Sequence, residues 1–250
     1  MTDFEKRLLS EYFGDNAGKM RAAEERLAAH EPIAYILGET VFYDETYKVT
    51  PDVLIPRPDT ERAVDHILKC LPEGGRLLDL CTGSGCIAIS SLCHSKNTTA
   101  LLVDVSEKAL ALARENAERN GVADRCSFLC ADLFAKPDLG GPFDVIASNP
   151  PYVQRSVVPT LEEECQREPY IAFDGGEDGG DFYRLFLDLC PSYLKKGGKM
   201  ICEIGYDQKE MIENMAKNAG FCVNVYKDYG GNDRVAVITL PEKENEDSDR

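Results

Sequence analysis

The chain has 250 residues, 43% of them hydrophobic and 29% charged, which fits one folded α/β domain with a small appendage and excludes wholesale disorder. Its 28 basic residues against 44 acidic ones leave a net charge of −16, which speaks against broad contact with nucleic acid, because phosphate binding needs a basic footprint. No apolar run approaches the roughly 18 residues of a membrane span, and Met1-Thr2-Asp3-Phe4-Glu5 has no signal pattern, so the cytoplasm is the expected location and no membrane partner is expected.

Thr2-x-x-Glu5 has the form of a capping box, and Phe4, Leu8 and Tyr12 then recur at helical spacing. A second helix follows Asn16 with Met20, Ala23 and Leu27 on one face, so residues 1–31 are a short helical appendage. Residues 32–58 form a β-hairpin or extended arm, on the strength of β-branched and aromatic residues such as Tyr35, Ile36, Val41, Phe42, Tyr43, Tyr47 and Val49. From 59 to 240 helical and strand patterns alternate. Val64, Ile67, Leu68 and Leu71 predict a helix, Arg76–Leu80 a strand, and Gly83-Ser84-Gly85 the opening of another helix. Ala100–Val103, Cys126–Cys130 and Phe143–Ser148 are further strands, with a Ser106-capped helix ending at Gly121 after the first of them. A helix over Phe182–Leu194, a strand over Lys199–Ile204 and a helix over Gln208–Ala219 lead to two last strands, Phe221–Tyr226 and Arg234–Leu240. The pattern predicts a doubly wound, mostly parallel seven-stranded sheet ending in an antiparallel hairpin. Residues 241–250 hold five acids and two bases and read as a solvated acidic tail.

Ten cysteines are scattered through mostly apolar runs without a Cys-x-x-Cys, and His30, His66 and His94 never fall at ligand spacing. They are expected to be buried, reduced thiols rather than metal ligands or disulfides.

Asp79-Leu80-Cys81-Thr82-Gly83-Ser84-Gly85 stands where a strand turns into a helix, and its glycines let the backbone approach a ligand closely. Alone, such a loop would suit the pyrophosphate of a dinucleotide equally well. Asp79 argues for an ammonium group instead, since a carboxylate repels phosphate. Asp104, at the end of the next strand, suits two ribose hydroxyls. A cofactor with an amino acid end, a ribose and no phosphate is S-adenosylmethionine. Asp132 could then accept from an adenine amino group with Leu133 against the ring, although a helix cap is an equally good reading of Asp132.

Asn149-Pro150-Pro151-Tyr152 follows an apolar strand and would ordinarily be a stiff turn. It also resembles the signature of methyltransferases that act on planar nitrogens. The Asn149 side-chain oxygen and the Pro150 carbonyl can accept the two N–H bonds of an amide. The prolines remove competing donors, and Tyr152 can cover the planar group.

With the flanking stretches, the sequence resembles the HemK-type family of peptide chain release factor N5-glutamine methyltransferases over roughly residues 32–240. Pro32-Ile33-Ala34-Tyr35-Ile36-Leu37-Gly38 with Phe42, Val53–Glu61, Glu168-Pro169, Ala172 and Gly175-Gly176-Glu177-Asp178-Gly179 carry that resemblance. It implies a Rossmann-like methyltransferase sheet, S-adenosyl-L-methionine contacts at Cys81, Thr82, Gly83, Ser84, Gly85, Asp104, Leu133 and Asn149, and substrate contacts at Asn149, Pro150, Pro151 and Tyr152. It also implies that the Pro56–Glu61 segment, with Arg57 and Glu61, lines the site. The substrate it implies is the glutamine of the Gly-Gly-Gln loop of release factors. Two departures stand out. Cys81 replaces a usual Gly, where a side chain facing away from the cofactor is expected, and the region before Pro32 is less than half the length of the family's helical domain. The shorter region makes a ribosomal protein glutamine the nearest rival substrate. Adenine-N6 of DNA and a non-catalytic S-adenosylmethionine-binding module are the more distant readings.

Overall fold

The computed structural model describes residues 2–240, so the expected acidic tail lies outside the described residues. Helix α1 (Asp3–Phe13) begins with the complete capping box between Thr2 and Glu5, and α2 (Ala17–Ala28) begins at Asn16, whose side chain accepts the Lys19 N–H. They close a small core of Leu9, Ala23 and Ile36 with α3 (Ile33–Leu37). The sequence reads as extended from residue 33, but this first turn is helical. Burial of Ala34, Tyr35 and Ile36 outweighs their β-propensity, and Gly38, at φ +78°, ends the turn.

Strands β1 (Glu39–Phe42) and β2 (Glu45–Lys48) form the expected hairpin, turned at Tyr43-Asp44 with positive φ at both residues. Phe42 and Tyr47 pack with Val64, Ile67 and Leu92 in the main core, and the Tyr47 hydroxyl lies 2.6 Å from Ser90 Oγ. Asn116 accepts from the Lys48 N–H and donates to the Lys48 carbonyl. The arm is therefore bound to the body by both core packing and backbone hydrogen bonds.

The body is a seven-stranded sheet in the order β5-β4-β3-β6-β7-β9-β8. Its strands are β3 (Arg76–Leu80), β4 (Thr99–Asp104), β5 (Cys126–Cys130), β6 (Phe143–Ser148), β7 (Leu194–Glu203), β8 (Cys222–Lys227) and β9 (Asp233–Thr239). The first five are parallel, and β9 runs antiparallel between β7 and β8. Helices α4 (Glu61–Cys70), α5 (Cys86–Cys93) and α6 (Glu107–Arg119) cover one face, and α7 (Asp181–Leu189) and α8 (Lys209–Asn218) the other. Coverage on both faces explains the near-continuous apolar runs of the central strands. The chain winds outward from β3 in one direction and from β6 in the other. Leu80 pairs with Ser148, so the segments after β3 and β6 leave the sheet side by side at its switch point, where ligands bind in such folds.

Two expectations change here. The helix expected over Phe182–Leu194 stops at Leu189, because Pro191 lacks the N–H needed to continue it, and β7 already begins at Leu194. The ten cysteines are all free, but only Cys86, Cys190 and Cys202 are buried, while Cys130 and Cys222 are exposed. Those two lie on the edge strands β5 and β8, where an apolar-looking run has one open side.

Gly85 opens α5 at φ +83°, and a Cβ there would lie 2.8 Å from Ile89 Cδ1 and 3.2 Å from Ala113 Cβ. Gly85→Ala is expected to cost about 1–3 kcal/mol of stability, measured as a lower urea midpoint. An unchanged midpoint would contradict this packing.

Candidate active site

The carboxyl ends of β3, β4 and β6 open into a cleft of about 440 Å³. Two carboxylates shape the loop after β3. Asp79, fully buried beneath it, accepts from Thr82 Oγ1 at 2.5 Å and from the Ala88 N–H at 3.3 Å. Asp104, on the cleft wall, accepts from the Gly83 N–H and the Ser106 N–H, each at 2.9 Å. Burial pushes the Asp79 carboxyl up to about 7 and raises Asp104 as well. Among the described residues Asp79 Oδ1 has no hydrogen-bond partner. Cys81 adopts φ +57°, a conformation glycine takes freely, and its side chain packs against the apolar cluster of Leu78 and Leu80.

On the opposite wall, Asn149 lies between this cleft and a smaller cavity of about 220 Å³ and lines both. Its Nδ2 donates to Thr60 Oγ1 at 3.1 Å, and Thr60 Oγ1 donates to Glu203 Oε2 at 2.5 Å. The Tyr152 hydroxyl donates to Glu203 Oε1 at 3.1 Å. Burial raises the Glu203 carboxyl, opposed by the Thr60 hydroxyl, the Arg234 charge and the Tyr152 hydroxyl. Burial, with the Glu203 charge, holds the Tyr152 phenol protonated. Among the described residues no hydrogen bond ends on Asn149 Oδ1 or on the Pro150 carbonyl.

The segment that faces this loop fits it at close quarters. A Cβ on Gly175 would lie 2.7 Å from Tyr152 Cα and 2.9 Å from the Pro151 carbonyl, and one on Gly179 would lie 2.4 Å from the Tyr152 carbonyl. Buried Glu168 accepts from the Ile55 N–H at 2.9 Å and pairs with Arg57, which ties the arm to the segment following the Asn-Pro-Pro-Tyr loop. Arg167 donates to the Ala29 carbonyl at 2.7 Å and brings the N-terminal helices to the same segment.

A family model described as the methyltransferase small domain matches residues 59–164. The chain is 38% identical over 234 residues to the release factor glutamine methyltransferase of Thermodesulfovibrio yellowstonii, covering 91% of this chain and 83% of that one. It is 41% identical over 212 residues to the release factor glutamine methyltransferase of Geobacter sulfurreducens, covering 84% and 74%. The chain belongs to the release factor glutamine methyltransferase family. The fold agrees, since a crystal structure titled as a methyltransferase from Pyrococcus furiosus superposes with a TM-score of 0.60 at 22% identity, over 87% of this chain and 96% of that one.

The family implies S-adenosylmethionine, and the residues present fit it. Gly83 has open space where a Cβ would stand, Asp104 has lone pairs to spare beside the cleft, and the orphaned Asp79 Oδ1 gives the loop an anionic floor that suits a cation and not a phosphate. Cys81, Thr82, Gly83, Ser84, Asp104, Asp132, Leu133, Asn149, Pro151 and Arg57 all line the cleft. Tyr152 lines the smaller cavity. Four expected residues stand elsewhere. Asp79 and Gly85 lie behind the loop rather than on the cleft wall, and Pro150 is buried. Glu61 turns towards the hairpin, where it accepts the Tyr43 N–H at 3.0 Å. Asp132 combines both of its readings, because it lines the cleft and also caps the turn after β5 by accepting from the Phe134 N–H. The sequence did not single out Thr60, Glu203 or the Glu168 pairing with Arg57 as parts of one site. The available signal for Glu203 was a lone acid at the end of the apolar run Met200-Ile201-Cys202.

Because the Asp79 carboxyl is raised in the fold, its contribution to stability is full below the unfolded value near 3.8 and is lost as pH rises through about 7. Asp79→Asn keeps an acceptor for Thr82 and Ala88 but cannot ionise. Its melting temperature relative to the parent is expected to rise between pH 4 and pH 7, and calorimetry over that range would show it. A constant difference would place the Asp79 titration elsewhere.

Proposed function

We propose that this protein transfers the methyl group of S-adenosylmethionine to the side-chain amide nitrogen, N5, of the glutamine in the Gly-Gly-Gln loop of peptide chain release factors. The observation that carries the reading is Asn149, held between two cavities with its amide donor engaged and its oxygen free. An amide nitrogen is a poor nucleophile because its lone pair is delocalised into the carbonyl. Two fixed acceptors on its two in-plane N–H bonds hold that nitrogen in place with its lone pair, which lies perpendicular to the amide plane, facing the donor. Asn149 Oδ1 is the acceptor that borders both cavities; the Pro150 carbonyl beside it accepts no hydrogen bond among the described residues, but Pro150 is buried and lines neither cavity. The cofactor supplies an activated methyl on a sulfonium sulfur, which leaves as a neutral thioether when the N–C bond forms and the S–C bond breaks. The methylated amide then gives its extra proton to solvent, so no residue of the chain has to act as a strong base. Positioning supplies much of the acceleration, up to about 7–11 kcal/mol for well-aligned reactants.

The prolines keep the loop stiff and free of competing donors, and Tyr152, fixed by Glu203, covers the amide plane. Arg57, held by Glu168, borders both cavities. A net charge of −16 supports a protein substrate over a nucleic acid. No helix among the described residues is long and apolar enough to cross a membrane.

Incubation with a release factor and cofactor is expected to add one methyl to the Gly-Gly-Gln peptide, seen by mass spectrometry. An unmodified peptide would refute the assignment. Asn149→Ala is expected to lower kcat by on the order of 10²–10³ with an unchanged melting temperature.

A further inference from the structure

A buried carboxylate stands behind Asn149. Glu203 is 2% exposed, and its two oxygens take protons from two separate segments, Thr60 on one and Tyr152 on the other. Thr60, also 2% exposed, has a single hydroxyl proton and gives it to Glu203. What Thr60 turns to Asn149 is therefore a lone pair, and Asn149 meets it with Nδ2. With the carboxamide turned over, Oδ1 would face the Thr60 oxygen with no proton between them.

Building on the assignment of Asn149 as an acceptor for the substrate amide, we infer that Thr60 and Glu203 are positioning residues that set the polarity of the Asn149 carboxamide and hold Oδ1 towards the cleft. Glu203 accepts on both oxygens, from Thr60 and from Tyr152, and that gives the chain Asn149–Thr60–Glu203 its direction. Burial, the largest influence, raises the Glu203 carboxyl and Asp59 adds to this, while the Thr60 and Tyr152 hydroxyls donate to it and the Arg234 charge attracts it. The Tyr183 hydroxyl binds the Glu203 backbone carbonyl at 3.1 Å and leaves the carboxylate to the other two. Arg234 is itself held by Asp228 at 3.3 Å. The same arrangement distinguishes glutamine from the isosteric glutamate, whose carboxylate would set oxygen against oxygen at Asn149.

Thr60→Val removes the hydroxyl at nearly constant shape, and Thr60→Ser keeps it. With release factor as substrate, Thr60→Val is expected to lose roughly ten- to a hundredfold in kcat. Its KM for S-adenosylmethionine should stay near the parent value while its melting temperature falls, because one buried Glu203 oxygen loses its donor, and Thr60→Ser should recover most of the rate and of the stability. Full kcat in Thr60→Val, or an equal loss in Thr60→Ser, overturns the inference. A second measurement does not depend on turnover. In the nuclear magnetic resonance spectrum of the unmodified protein, the Asn149 side-chain NH₂ should show a nuclear Overhauser contact to Thr60 and slow exchange with solvent. A freely exchanging Asn149 amide without that contact overturns the inference even if release factor is methylated. A parent enzyme that methylates no release factor while the contact is present would instead refute the substrate assignment and leave the positioning role standing.

Discussion

The site depends on one buried carboxylate. Glu203 ends β7 inside the protein, and its hydrogen bonds reach Thr60 at the start of α4 and Tyr152 in the loop after β6. Leaving that charge unpaired in a low-dielectric interior would be costly, so the segments bearing its partners are held to a single arrangement. Through Thr60 the constraint reaches Asn149, and through Tyr152 it reaches the far end of the same loop. Asn149 is therefore tied, through Thr60, to a strand more than fifty positions later in the chain.

The cofactor side repeats the device with a different balance. Asp79 is buried with one oxygen engaged and the other orphaned, and Asp104 spends part of its capacity on the Gly83 and Ser106 N–H groups. Both carboxyls thus shape the loop, and burial raises both of them. Burial that raises Asp79 stores a cost that a cationic ligand offsets. Opposite them, Gly175 and Gly179 allow two backbones to approach at distances no side chain would permit, which holds the segment carrying them against Tyr152. The arm closes the remaining side through Glu168 and Arg57.

Much of this was legible in the chain. The capping box at Thr2, the hairpin around Tyr43-Asp44 and all seven strands of the main sheet follow from local pattern, because apolar runs bounded by turn residues have few alternatives. The misread elements are those where a local preference was overruled. Burial made a helical turn of Ile33–Leu37, and Pro191 cut short the helix that the apolar spacing carried to Leu194. The exposure of Cys130 and Cys222 followed from strand order, which no local pattern encodes.

The sequence by itself determined the fold class and marked the loop at Asp79–Gly85, the acid at Asp104 and the motif Asn149-Pro150-Pro151-Tyr152, since the chemistry each offers is carried by its own residues. Tertiary structure alone decided which way those groups face. Asp79 went behind its loop, Glu61 turned to the hairpin, and Thr60 and Glu203, 143 positions apart, met behind Asn149. The physical reason is that a hydrogen bond depends on distance and direction in space, and residues far apart in sequence acquire both only when the sheet brings β3, β6 and β7 to a common edge.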